Sequence, residues 1–223
     1  AGIVVSGRNV YISGCYCDGP NGKACYWKNG ARIDLHPAGT TYSSAAGIVV
    51  SGRNVYISGT YYDATNGKAC YWKNKVWIDL HPAGAAYSHV DTMVVSGSNV
   101  YISGTYYDGT DGKACYWKNR VRIDLHPAGV TYNYFVSGSD FYIFGYYYGS
   151  TYRQACYWKN GVWIDLHPAG AASSYAENGV VLSGNVYAGG DVDDMPYYWK
   201  NGEAIKLPVP EGTVSGSAHV IQN

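Results

Sequence analysis

The sequence predicts an all-β fold: a five-bladed β-propeller of four-stranded antiparallel blades, closed by the C-terminal strand. Two observations predict it. A twelve-residue stretch, Ile3 to Gly14, recurs letter for letter at Ile48 to Gly59 and returns in altered form at Met93, Tyr134 and Val180. The Trp of a Tyr-Trp-Lys-Asn motif keeps the same register at Trp27, Trp72, Trp117, Trp158 and Trp199, spaced by 45, 45, 41 and 41 residues. Self-similarity at this period, with four short strands per unit, is the pattern of radial repetition.

Each unit reads as a four-strand meander. Ile3-Val4-Val5 is a short apolar strand, and Ser6-Gly7-Arg8-Asn9 supplies turn chemistry after it. Val10 to Tyr16 alternates and is rich in β-formers. Asp18-Gly19-Pro20-Asn21-Gly22 is a turn, and Lys23 to Lys28 is a third strand. Asn29-Gly30 is the preferred dipeptide of a two-residue type I′ hairpin. Arg32 to Leu35 is the fourth strand, which His36-Pro37-Ala38-Gly39 breaks. Lys75 and Arg120 replace the turn glycine in two copies, so either those turns differ or the repeat tolerates strain there.

The repeats divide the single domain at about 3–47, 48–92, 93–133, 134–178 and 179–212, with a closing strand over 213–223. That last segment matches Thr40 to Val49, the lead-in to a first strand, so six lead-ins serve five units. A spare strand closes the ring within one chain or pairs with a second molecule. The chain is thus expected as a monomer or a strand-swapped homo-oligomer.

Composition narrows the classes of function. Formal net charge is zero and only 14% of residues are charged, which leaves no electrostatic footprint for nucleic acid. No apolar run approaches a membrane span. Tyr is abundant, 25 residues beside 7 Trp and 3 Phe, which suits both β-packing and rigid binding surfaces. The sequence begins at Ala1 without a hydrophobic leader, as expected of a processed or an excised or engineered chain.

The recurring Ala-Cys-Tyr-Trp-Lys-Asn-Gly of Ala24 to Gly30, preceded by Asn-Val-Tyr-Ile-Ser-Gly, resembles a bacterial family of tandem-repeat, propeller-like proteins. The resemblance covers residues 3 to about 207 and implies an extracellular or cell-surface protein. It carries no catalytic residue. The near-identity of the first three units also fits a recent duplication or a designed consensus.

Repeated polar groups gather on one loop face in such an arrangement. The candidate ligand-binding residues are His36, His81, His126 and His167, with Asp18, Asp63 and Asp108 and the aromatic Tyr42, Tyr87 and Tyr132. The alternative for the histidines is structural: each ties its loop to Ser13, Asp18 or Trp27, or their equivalents. A metal shared between copies is excluded by ligand distances of about 2 Å, and no cofactor is expected. Cys25, Cys70, Cys115 and Cys156 read as small buried hydrophobes. Cys15 and Cys17 occur only in the first unit, and Cys17 would face Cys25 if their hairpin loop were odd in length.

No nucleophile elbow or phosphate loop occurs. The sequence therefore reads as a non-enzymatic module, binding glycan or protein multivalently through that loop face. The alternative is a structural or engineered scaffold without small-molecule ligand, self-assembling through its spare strand. Any unique site is expected at Asp191-Val192-Asp193-Asp194-Met195, the greatest departure from the repeat, for which a solvated turn is the ordinary alternative, with Glu177 noted near an irregular turn.

Overall fold

The structure is a computed structural model, and it describes residues 1–63, 66–109, 112–125, 129–137, 140–149 and 152–219. The described residues form five four-stranded antiparallel sheets, each with its strands in sequence order. They fall into two compact units, Ala1–Ile123 and Asp124–Asn223.

In the first unit, one sheet holds β1 (Ile3–Ser6), β2 (Asn9–Cys17), β3 (Gly22–Lys28) and β4 (Ala31–Asp34). The next holds β5 (Tyr42–Ser51), β6 (Asn54–Tyr62), β7 (Gly67–Lys73) and β8 (Val76–Asp79). The third holds β9 (Tyr87–Ser96), β10 (Asn99–Tyr107), β11 (Gly112–Lys118) and β12 (Val121–Asp124). The second unit has β13 (Gly129–Ser137), β14 (Asp140–Tyr148), β15 (Arg153–Lys159) and β16 (Val162–Asp165) in one sheet. Its other sheet has β17 (Ser174–Leu182), β18 (Asn185–Val192), β19 (Met195–Lys200) and β20 (Glu203–Lys206). Among the described residues no helix is long and apolar enough to cross a membrane.

The motif residues explain themselves in pairs. Tyr11 faces Lys28 across β2 and β3, and the ammonium sits 5.5 Å from the ring centroid. The same cation–π pair recurs at Lys73 on Tyr56, Lys118 on Tyr101, Lys159 on Tyr142 and Lys200 on Tyr187. The next residue back, Trp, turns to the opposite face, and Trp72, Trp117, Trp158 and Trp199 are fully buried there. Facing sheets share these cores. Tyr11, Ala24 and Leu35 of the first sheet pack with Ile48, Ile57 and Trp72 of the second. Tyr142, Phe144 and Leu166 likewise pack with Ala176, Ala188 and Trp199.

The two doubtful hairpins keep the tight turn. Asn74 and Lys75 have φ of 50° and 72°, and Asn119 and Arg120 have 50° and 77°. Both central residues lie in the left-handed region, as a type I′ turn requires. The repeat thus tolerates the strain. Its Asn explains why: Asn74 Oδ1 accepts a hydrogen bond from Val55 N–H at 2.9 Å, and all five copies make the equivalent bond.

A bulge recurs in the first strand of four sheets. In β17 the pairing skips from Ala176 to Asn178, leaving Glu177 as the extra residue. The same irregularity falls at Asp91 in β9, at Tyr132 in β13 and at Ala46–Gly47 in β5. Its backbone explains the glycine of the Val-Tyr-Ile-Ser-Gly motif. A Cβ on Gly59 would overlap Ser44 O, and one on Gly104 would overlap His89 O. The bulge also separates Tyr132 from its supposed equivalents, because Tyr42 and Tyr87 sit at the opening of their strands.

The cysteine pairing considered above is excluded by register. The loop after β2 has four residues, Asp18 to Asn21, so Cys17 faces Gly22, Cys15 faces Ala24 and Cys25 faces Gly14. All six cysteines are free. Residues 213–219, where a closing strand was expected, form no strand, and the first sheet comprises β1 to β4 alone. The remaining residues of that segment, 220–223, lie outside the described residues.

Candidate functional site

The structure gives the repeated loop residues internal partners. His81 Nδ1 lies 2.8 Å from Ser88 Oγ, and His81 Nε2 lies 3.0 Å from Ala85 O. Ser88 Oγ in turn accepts a hydrogen bond from Ala69 N–H at 2.9 Å. A carbonyl only accepts, so His81 Nε2 carries a proton, and burial pushes the ring's pKa below the usual imidazole value. His36 meets Ser43 and His167 meets Ser174 in the same way, both at 2.7 Å. The partner is the first-strand Ser of the following sheet. Ser13, the candidate named from the sequence, instead donates to Ala46 O. His126 lies outside the described residues, as does the side chain of Tyr132.

Each turn aspartate pairs with the lysine at the second position of the strand that follows. Asp18 meets Lys23 at 2.9 Å, Asp108 meets Lys113 at 2.5 Å, and Asp63 meets Lys68. Tyr42 packs edge-on against Tyr62, and Tyr87 against Tyr107. These groups recur because the repeat recurs, and each described pair lies within its own copy or between neighbouring copies.

The fifth sheet differs. Its second hairpin is two residues long, Asp193 and Asp194, both at positive φ (50° and 62°), where the other copies have four-residue loops. The short turn is held by Asp193 Oδ1, which accepts hydrogen bonds from Ala172 N–H and Ser173 N–H at 2.8 Å each. Asp191 lies opposite Tyr175 in the ladder, at the register position that buried Thr105 holds opposite His89 in the third sheet. Two residues beyond Tyr175 is Glu177, re-aimed by its bulge.

These side chains line a cavity of about 360 Å³, together with Arg153, Ser173, Ser174, Asp194 and Ser217. Its size is that of a small-ligand site. Burial, followed by the neighbouring Asp194 and Glu177, raises the Asp191 carboxyl to about 6, against which Arg153 acts. Arg153 is itself fixed between two rings, 5.1 Å from the Tyr146 centroid and 5.3 Å from that of Tyr175. Glu177 Oε2 lies 2.7 Å from His219 Nδ1. Among the described residues no three His, Cys, Asp or Glu side chains converge closely enough to hold a metal ion. A second hollow of about 540 Å³ beside Trp27 is lined by Ile12, Ser13, Cys15 and Ala45 and carries no charged side chain.

The acidic stretch at 191–194 was legible as a departure from the repeat. Arg153 was marked too, since it stands where the first three copies have Gly22, Gly67 and Gly112, but nothing in the sequence placed it beside the acidic stretch, nor Tyr175 and Ser217. Aligning the copies at the bulge would have flagged Glu177, since the occupants there are Ala46, Asp91, Tyr132 and Glu177.

No protein-family model matches the chain, and no curated protein matches it. Among solved structures it is similar to the catalytic domain of a GH62 α-L-arabinofuranosidase from Coprinopsis cinerea. The identity is 11% and the TM-score 0.41, over 97% of this chain and 87% of that one. It is also similar to an exo-1,5-α-L-arabinanase from a bovine ruminal metagenomic library. There the identity is 8% and the TM-score 0.40, over 99% of this chain and 95% of that one. Both are enzymes, against the expectation of a chain without enzymatic activity. That expectation is corrected, and with it the readings as a non-enzymatic binding module or as a scaffold without ligand. A likeness of this extent transfers no activity, so the function has to come from the cavity.

Proposed function

We propose that the five sheets are the blades of a five-bladed propeller, and that the cavity of the fifth is a hydrolytic site acting on glycosides by general acid catalysis. The observation that carries this reading is the arrangement of Asp191, Asp194 and Glu177 around one cavity beside a single fixed cation, Arg153. Glycosidic bond cleavage needs one carboxyl that is still protonated to donate to the leaving oxygen, and a second carboxylate facing the sugar. Asp191 suits the first role, since its carboxyl is raised to about 6 by burial and by its acidic neighbours. Glu177 suits the second, as the carboxylate on the opposite strand.

The charge balance favours this chemistry over acyl transfer. A glycosidic transition state is oxocarbenium-like, and negative side chains stabilise the developing positive charge. A tetrahedral oxyanion would be destabilised in the same place. The backbone donors near Ser217 are also already used, Gly216 N–H on Asp194 O and Ala218 N–H on Gly190 O.

The test is hydrolysis of a panel of 4-nitrophenyl glycosides by the full chain. The expected result is release from at least one glycoside, lost by about a hundredfold or more in Asp191→Asn and Glu177→Gln. Release that is unchanged in both variants, or no release from any member of a pyranoside and furanoside panel, overturns the reading.

A further inference from the structure

The sixth lead-in starts as the others do and then departs from them. Thr213 donates its N–H and Oγ1–H to Pro210 O at 3.2 and 2.7 Å. Thr40 makes the same pair to Pro37 O at 3.4 and 2.8 Å. After Thr40, Thr41 N–H bonds Tyr62 O at 2.7 Å and the chain enters β5. After Thr213, Gly216 N–H goes to Asp194 O at 2.8 Å and Ala218 N–H goes to Gly190 O at 3.1 Å. Those two acceptors bracket Asp191. The segment is therefore laid beside the carboxylates, with Ser217 in the cavity wall and His219 against Glu177.

Glu177 needs such a partner. As the extra residue of a bulge it has no cross-strand mate to fix its direction. His219 Nδ1 engages one carboxylate oxygen, and Ser217 Oγ lies 3.5 Å from the other ring nitrogen, Nε2. Glu177 itself lines the cavity. The ring is a side chain on an otherwise backbone-anchored segment, so its placement follows from the bonds at Gly216 and Ala218.

We propose that His219 is the positioning residue for Glu177, and that residues 214–219 are a built wall of the cavity rather than a trailing end. The proposal rests on the hydrolytic reading for its consequence, but its geometry can be tested without it.

Carboxyl labelling with a carbodiimide and glycine ethyl ester, read site by site by mass spectrometry, reports how accessible Glu177 is. In His219→Ala, Glu177 is expected to label several-fold faster than in the wild type, while Asp18 and Asp108 label as before. His219→Asn keeps an N–H near the place of Nδ1 and is expected to restore slow labelling. Ala218→Pro removes the bond to Gly190 O and is expected to behave as His219→Ala does. Equal Glu177 labelling in the wild type and His219→Ala overturns the proposal, and so does a failure of Asn to restore it. On the cleaved glycoside, His219→Ala is expected to lower kcat by about tenfold to a hundredfold with little change in KM, again rescued by Asn. A His219-dependent labelling pattern in a chain that cleaves no glycoside keeps the positioning role and removes the hydrolytic reading. Cleavage with labelling indifferent to His219 does the reverse.

Discussion

Ser88 sits between His81 and the backbone of the preceding sheet: its hydroxyl is 2.8 Å from His81 Nδ1 and accepts from Ala69 N–H at 2.9 Å. Ala69 and Ser88 are fully buried, so removing the hydroxyl strands a backbone donor with no water to replace it. Ser88→Ala is expected to cost about 1–3 kcal/mol, measured by urea unfolding. The histidine adds a pH dependence. Burial, with Lys68 nearby, holds its folded pKa below the ordinary 6.5. The unfolded chain then binds the proton more readily, so the contribution is whole above about pH 6.5 and is lost as the pH falls through the folded pKa. His81→Gln is expected to flatten the fall of Tm between about pH 7 and pH 5.

Asp191 gives the opposite slope. Its folded carboxyl stands at about 6, above the ordinary value of 3.8. Its contribution is present below about pH 3.8 and is lost as the pH rises through about 6, because the folded site must then hold an unfavourable charge. Asp191→Asn is expected to raise Tm at pH 8 and to leave it unchanged near pH 3. The same group sets the activity profile. A general acid must carry its proton, so kcat/KM is expected to fall about tenfold per unit above about pH 6. Activity that stays flat to pH 8 would remove Asp191 from that role.

The type I′ turns yield a stabilising change. Lys75 and Arg120 occupy φ of 72° and 77°, a region that disfavours a side chain with Cβ. Lys75→Gly and Arg120→Gly are each expected to add about 1 kcal/mol. Asn74→Ala acts in the other direction. It puts a Cβ-bearing residue with no polar group at φ 50° and deletes the bonds from Val55 N–H and to Asn54 Oδ1. A loss of about 1–2 kcal/mol is expected, read from chemical denaturation of the four proteins side by side.

Much of the fold could be read from the sequence because its rules are local. Asn29-Gly30 fixes a two-residue hairpin, and twelve repeated residues fix the strands around it. The bulge could not be read, because an extra residue is a property of two strands in register. Glu177 was therefore only a carboxylate near an irregular turn. The histidines were visible as a repeated feature, but their partner Ser43 or Ser88 lies in the next sheet, seven residues along, where Ser13 looked as good. Reading function from what every copy shares also pointed away from the fifth sheet. The cavity there is lined in part by Asp194, from the two-residue turn that replaces a four-residue loop, a change that occurs once.

The bulge can be tested through the glycine that faces it. Gly104 lies against His89 O and the ring of Trp117, and a Cβ there would overlap the carbonyl. A carbonyl in a paired strand cannot swing aside as a side-chain tip does, so the two strands must separate or the bulge must move. Gly14 is the same motif position in the first sheet, yet β1 is only four residues long and an added Cβ there would meet only the ring of Trp27, at 3.1 Å. Trp27 is half-buried and has room to give. Gly104→Ala is therefore expected to cost about 3 kcal/mol, and Gly14→Ala less than about 1 kcal/mol, since alanine also recovers some of the chain entropy that glycine loses. Denaturation midpoints of the two variants measure the difference. Equal losses would mean that the Trp ring, rather than the bulge carbonyl, is what demands glycine at this position.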